Sequence, residues 1–540
     1  MTNDIASSPF ASPLGWWIRV DQWLERAGER LNPILVKEAR QALKSRQFVI
    51  TFGLLLLCGL GWSLIGVALL LPGIYYTPSG PFMLIGYAII LTVPMLLIVP
   101  FSAYRSLAGE REDGTYELLS ITTLSSRQIV TGKLGSAALQ MLVYYSALSP
   151  CIAFTYLLRG VDVVTLAMVL FYTFLASVLL SAVGLLVATL SRARHVQVLL
   201  SVALLLGLAF VTLMWCIWTA IFIGESANMA IEDAEVWTVQ GSILTACGSY
   251  LVLFLLAAAA QLSFASDNRS TKLRIAMLAQ QVLFTGWMGY FWITYHWEEL
   301  VFSLLAFSGV HWMLMGALLT GEWSVLSPRV KRQLPQSVLG RVFLTWFNPG
   351  SGTGYVFAVV NLGAVTLLTC AMALAAEGFG RWPVDVEETV LFGVLLCAYV
   401  AAYLGVGRLI ALWLRRVLYF GLLLPLVVHV LLLALGVAVP SFLQAWLFGF
   451  AEFEDYSVLQ APNWAWTLIE AVDGRVQADP AVPILVVSSA VVIFLVNLVV
   501  AAKEVEQERE AAPERVALDE LQLHPERAAA EKRPSSPFED

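Results

Sequence analysis

Charge is what this sequence has least of. Of its 540 residues, 13% are Asp, Glu, Lys or Arg and 59% are hydrophobic, whereas a soluble domain carries about 25% charged residues. A soluble fold has no way to hide that much apolar surface. Cysteine is scarce as well. The six present, Cys58, Cys151, Cys216, Cys247, Cys370 and Cys397, all lie in apolar runs without CxxC spacing, which argues against a redox centre or a thiolate metal site. The five histidines form no HxxxH or HExxH pair, so a metal centre is not expected. The net charge of −7 comes without the basic face that a nucleic-acid partner requires.

A phosphate-binding loop is missing too. The one Gly-Lys that resembles its end, Gly132-Lys133, lacks the upstream glycine and the following Ser or Thr of GxxxxGK[ST]. The chain is therefore not expected to hydrolyse ATP, nor to hold any cofactor of its own. No His, Ser-His-Asp or carboxylate constellation stands at a membrane edge, which disfavours a membrane enzyme.

What the sequence does have is apolar length. About 20 apolar residues in a helix span a hydrocarbon layer, and Gln47–Tyr104 holds no Asp, Glu or Lys and has its first Arg only at 105. Leu71-Pro72-Gly73 and Thr77-Pro78-Ser79-Gly80 divide that run into a helical hairpin. Charge-free runs predict spans near 48–71, 81–104, 134–158, 163–190, 196–223 and 240–266, then 275–296, 300–320, 354–376, 389–411, 417–439 and 481–502. The expected fold class is an all-α polytopic bundle of about 12 transmembrane helices. The segment 441–450, after Pro440, is too short to span and is expected in the membrane interface.

Orientation follows from the basic residues, which are enriched in cytoplasmic loops. On the twelve-span topology, 29 of the 32 fall on the side of the N-terminus and only Arg159, Arg381 and Arg475 on the other. Both termini are thus expected in the cytoplasm. The opposite loops carry acidic clusters such as Glu225, Glu232, Asp233 and Glu235. The first thirty residues lack the continuous apolar core of a cleaved signal peptide, which leaves the first span as the insertion signal. The expected organisation is a cytoplasmic N-terminus with an amphipathic helix (1–47), a six-helix domain (48–266), a second six-helix region (267–502) and a disordered acidic tail (503–540).

Two segments stand out as functional. Placed on a helix, Leu31–Gln47 puts Leu31, Leu35, Ala39, Ala42 and Leu43 on one side and Lys37, Arg40, Gln41 and Lys44 on the other. Such a helix lies on the membrane surface with Lys37, Arg40 and Lys44 toward lipid phosphates. The second is the connection after span two, with Glu110, Glu112, Gly114, Thr115, Tyr116, Glu117, Leu118 and Leu119, running through Thr122-Thr-Leu-Ser-Ser-Arg-Gln128 to Gly132-Lys133. Thr115 and Ser125 or Ser126 are candidate N-caps, and Tyr116, Leu118 and Leu119 offer an apolar contact fringed by charge.

That connection resembles the loop between the second and third spans of ABC-2 type permeases, the membrane subunits of ATP-binding cassette exporters. The resemblance covers roughly residues 31–266 and rests on the acidic run, the Gly-Thr-x-Glu-Leu-Leu pattern, a Thr-Pro-Leu-Ser-like turn and the final Gly-Lys. Thr123 stands where the family commonly has Pro, and Gln128 where an acidic residue is frequent. The resemblance implies an elbow helix before span one and six spans per domain. It further implies a separate ATPase subunit that binds the ATP and docks on residues 110–119, and the export of a substrate across the plasma (inner) membrane, with a homodimer or a second permease completing the pathway. A non-transporting membrane scaffold or assembly factor using the same loops is the alternative. An ATP-independent channel or carrier is disfavoured because ionisable residues are nearly missing from the spans. Asn32-Pro33 and Asn348-Pro349 hint at an internal repeat.

Overall fold

The computed structural model describes residues 32–116, 124–191, 193–225, 233–264, 267–323, 344–379, 385–417, 423–448, 456–473, 480–509, 519 and 522–523. It is all-α. A short helix α1 (Pro33–Leu43) precedes the long helices α2 (Arg46–Leu70), α3 (Gly80–Glu112), α4 (Ser126–Leu157), α5 (Val163–Thr189), α6 (Arg194–Glu225) and α7 (Ala234–Leu262). After these come α8 (Thr271–Tyr295), α9 (Glu299–Leu319), α10 (Ser351–Phe379), α11 (Val386–Leu414), α12 (Leu423–Phe448), the short α13 (Trp464–Val472) and α14 (Ala481–Arg509).

Among the described residues, eleven helices are long and apolar enough to cross a membrane. The twelfth expected span, 275–296, exists as the 25-residue α8, but Gln280, Gln281 and its run of Trp and Tyr residues make it less apolar than the rest. Several helices run past the expected boundaries, among them α3, which continues to Glu112, and α4, which starts at Ser126. Helix α12 continues through Pro440 to Phe448, so 441–448 extends the span rather than forming a separate interfacial piece. A proline inside a helix loses one hydrogen bond, a loss that membrane helices tolerate when neighbours re-satisfy the freed group. Helix α14 likewise runs past 502 into the acidic tail, ending at Arg509.

Helix starts are set by local chemistry. Asn32 caps α1, accepting the Ile34 amide at 3.1 Å, with Pro33 in the first turn. Ser45 caps α2 through the Phe48 amide, and Asp385 caps α11 through that of Glu388.

The chain divides into two compact units, Met1–Ser263 and Phe264–Asp540. In the first, α3 packs on α2, α4, α5 and α6, while α4 meets α5 and α7, and α5 meets α6 and α7. In the second, α9 packs on α8, α10, α11 and α12, while α10 meets α11 and α14, and α11 meets α12 and α14. Position by position these eight pairings coincide, so the two units share most of one six-helix arrangement; the first unit adds a packing of α2 on α4. The Asn-Pro dipeptides do not mark it: Asn32-Pro33 precedes the first span of its unit, and Asn348-Pro349 precedes the third of the other.

Helix α3 is the most buried span of its unit. Its N-terminal half is fastened to α2, where the Trp62 Nε1 donates to the Met83 carbonyl at 3.1 Å and the Ser63 and Tyr87 hydroxyls are 2.7 Å apart. Gly86 allows this approach, since a Cβ there would come within 2.0 Å of the Trp62 ring. Midway, Val93–Ile98 winds as a wider π-helical turn. Pro94 and Pro100 lack the amides that would close the normal ladder, and the Ser177 hydroxyl of α5 donates to the Met95 carbonyl in their place.

Candidate coupling site

The ends of the helices rich in Lys and Arg, their basic ends, hold the buried cations Lys133, Arg274 and Arg408 of the two units. In the first unit the charges gather around the end of α3. Lys133, in the second turn of α4, has a side chain that is 1% exposed. Its Nζ lies 3.0 Å from Glu110 of α3 and 3.2 Å from Glu38 of α1, and donates to the Ser106 carbonyl at 3.1 Å. Lys37 approaches the same two carboxylates from the rim, 3.5 Å from Glu110 and 3.8 Å from Glu38. Two cations and two anions balance, which is the condition for keeping an ammonium away from water.

Helix α1 reaches this cluster because α4 offers it a smooth face. Ile34 rests on Gly132 and Leu35 on Gly135; a Cβ on either glycine would come within 3.0 Å of these side chains. The packed line of α1 is Ile34, Glu38 and Ala39, so the apolar stripe meets protein and includes a carboxylate. Lys37, Arg40 and Lys44 are exposed on the other side, as a surface helix requires.

Other contacts spread from the same end of α3. Tyr104 donates to the Gln197 carbonyl of α6 at 3.0 Å, and Arg111 to the Ala188 carbonyl of α5 at 2.9 Å. Tyr116 donates to the Leu262 carbonyl, the last residue of α7, at 2.9 Å. The tip of α3 and the turn after it thus touch α1, α4, α5, α6 and α7.

The residues singled out for the coupling loop separate into two groups. Glu110 turns inward to the cluster, whereas Glu112, Gly114 and Thr115 are exposed and Tyr116 is half-buried. Gly114, one residue beyond the C-cap Asp113, takes a left-handed conformation with φ 71°, which costs glycine little, and α3 ends at Glu112. Thr115 already has helical conformation, and its hydroxyl donates back to the Glu110 carbonyl at 3.1 Å. Glu117, Leu118 and Leu119 lie outside the described residues. Ser125 is the N-cap of α4, and Gln128 completes a capping box by accepting the Ser125 amide at 2.9 Å. That gives a local reason for Gln at 128.

The second unit has its own buried pairs at its basic end. Arg274 of α8, fully buried, pairs with Glu322 just beyond α9 and donates to the Thr353 hydroxyl at 3.1 Å. Glu322 also accepts the Gly350 amide at 3.3 Å. Arg408 of α11, fully buried, pairs with Glu504 of α14 at 2.6 Å and donates to Asn497 at 2.9 Å and to Ser351 at 3.1 Å. Glu504 accepts the Gly352 amide at 3.1 Å. The Gly350–Thr353 turn that opens α10 is held between the two pairs.

Sequence reasoning put weight on the exposed acids and missed Glu38, Lys133, Arg274, Glu322 and Glu504. A carboxylate flanked by Ile34 and Ala39 on the packed face of an amphipathic helix was the available signal for Glu38.

The fold defines the class of protein: a multi-pass α-helical membrane protein. Neither a known protein family, nor a curated protein, nor a solved structure matches the chain.

Proposed function

We propose that this chain is the permease subunit of an ABC-2 type exporter in the plasma (inner) membrane, its basic ends cytoplasmic, driven by ATP that a separate ATPase subunit binds and hydrolyses. What supports the reading is that residues 112–116, the described start of the Glu-Asp-Gly-Thr-Tyr-Glu-Leu-Leu segment, lie at the end of α3. The sequence that resembles a family's coupling loop begins at a helix tip whose contacts reach five other helices. Glu112, Thr115 and the residues that follow form the docking face, while Glu110 and Lys133 transmit its movement. The repeated arrangement supports a chain that supplies two permease-like halves.

The test is co-expression with a candidate ABC ATPase subunit. The expected result is a complex that co-purifies, with ATP hydrolysis stimulated by the permease in vesicles, and that is lost in the double variant Glu112→Lys, Glu117→Lys. An undiminished complex in that variant refutes the docking site. Full assembly with no substrate flux in any vesicle assay favours the scaffold.

A further inference from the structure

The second unit contains a cavity of about 340 Å³ between α9, α11, α12 and α13, at the small end of ligand cavities, which span roughly 300–1,000 Å³. Four lining residues carry polar side-chain atoms, and all four are turned to main chain. Tyr399 and Tyr403 donate to the carbonyls of Ala461 and Pro462, the latter at 2.6 Å. Trp464 donates to the Leu433 carbonyl at 3.1 Å, and the His429 ring nitrogens lie 2.6 Å and 3.3 Å from the carbonyls of Pro425 and Leu404. What the cavity presents inward is carbon. A water needs two to four polar partners, and polar ligands need convergent donors and acceptors; the walls supply neither.

The cavity has a roof and a side door. The turn 461–463, gripped by the two tyrosines, and Trp464 close it at the α13 end. At the side it reaches Val310 and Val430, which are 66% and 57% exposed. Val310 sits at the middle of α9, a 21-residue membrane span, so the opening is continuous with the lipid-facing surface at mid-membrane depth. From that direction only hydrocarbon arrives.

We infer that this cavity binds one acyl chain of a bilayer lipid, which enters between Val310 and Val430 and lies against Phe392 and Leu396 of α11. Both of these are buried, 6% and 7% exposed, and out of reach of lipid that merely surrounds the protein. The inference stands apart from the permease reading and holds for any function of the chain.

The experiment uses the full chain reconstituted in phosphatidylcholine vesicles with a diazirine at mid-chain, followed by photolysis and peptide mass spectrometry. Adducts on Phe392 and Leu396 are expected, together with the ordinary labelling of exposed α2 residues such as Leu57 and Leu64. The adducts on α11 are expected to be lost in Val430→Trp, which fills the door, and kept in Val427→Trp on the exposed flank of the same helix. Labelling confined to exposed residues in the unmodified chain overturns the proposal without recourse to a variant. So does Val430→Trp labelling of Leu396 equal to that of the unmodified chain.

Discussion

Replacing Lys133 by methionine is the sharpest test of the charge cluster, because it keeps the side chain's length and removes only the ammonium. Glu38 and Glu110 are 11% and 14% exposed, so the change leaves two poorly hydrated carboxylates facing each other across a site that has lost its only buried cation. Breaking a buried pair from one side costs about 3–5 kcal/mol. Lys37 remains, but its side chain is 57% exposed, and exposed pairs are worth about 0–1 kcal/mol. The net expectation for Lys133→Met is a loss of roughly 3 kcal/mol, against less than about 1 kcal/mol for Lys37→Met. Unfolding of the purified chain by SDS titration in mixed micelles measures both. Adding Glu110→Gln to the Lys133 variant removes one of the stranded charges and is expected to regain part of the loss. Equal stabilities for the two lysine variants, or a further loss on adding Glu110→Gln, would refute the assignment of Lys133 as the cation that neutralises the buried cluster.

Two further predictions rest on packing and on the second unit's ion pairs. Gly80→Ala places a Cβ 2.4 Å from the Arg159 carbonyl oxygen and 2.9 Å from that of Thr155. These are main-chain atoms that cannot swing aside, so a cost of about 1–3 kcal/mol is expected; Gly207→Ala, with no heavy atom within 4 Å, is expected to be harmless in the same unfolding assay. A chain ended after residue 502 loses Glu504 and strands Arg408, so its thermal stability in detergent should fall as far as that of Arg408→Met in the full chain. A chain ended after 509 should match the full length, and identical melting for both truncations would contradict the pairing.

The spans were legible because a run of about 20 apolar residues between charges has few other uses, and charge-free runs locate α2, α5 and α11 to within a few residues. Pro440 misled, since a proline that ends a helix in water is accommodated in hydrocarbon, where α12 continues for eight residues beyond it. The short α13 was invisible for a related reason: nine residues carry too little periodicity to announce a helix, and its start depends on Asn463, which caps it through the Trp466 amide at 3.2 Å. The exposed part of the coupling site could be read as a local pattern, Glu112 to Thr115. The buried part could not, because Lys133 meets Glu38 across 95 residues and Arg408 meets Glu504 across 96, and nothing in a linear pattern selects one such partner over another. The shared six-helix arrangement was equally hidden, since it lies in which helices touch and leaves no repeated motif behind.

The wide turn at Val93–Ile98 gives α3 a fulcrum. Its N-terminal arm is anchored to α2 through Trp62 and Tyr87, and its C-terminal arm carries Tyr104, Glu110, Arg111 and the turn to Tyr116. A rigid rod would pass any tilt of one end to the other at once. An interrupted ladder is where a helix bends most easily, and the contact between the Ser177 hydroxyl and the Met95 carbonyl ties that point of α3 to α5.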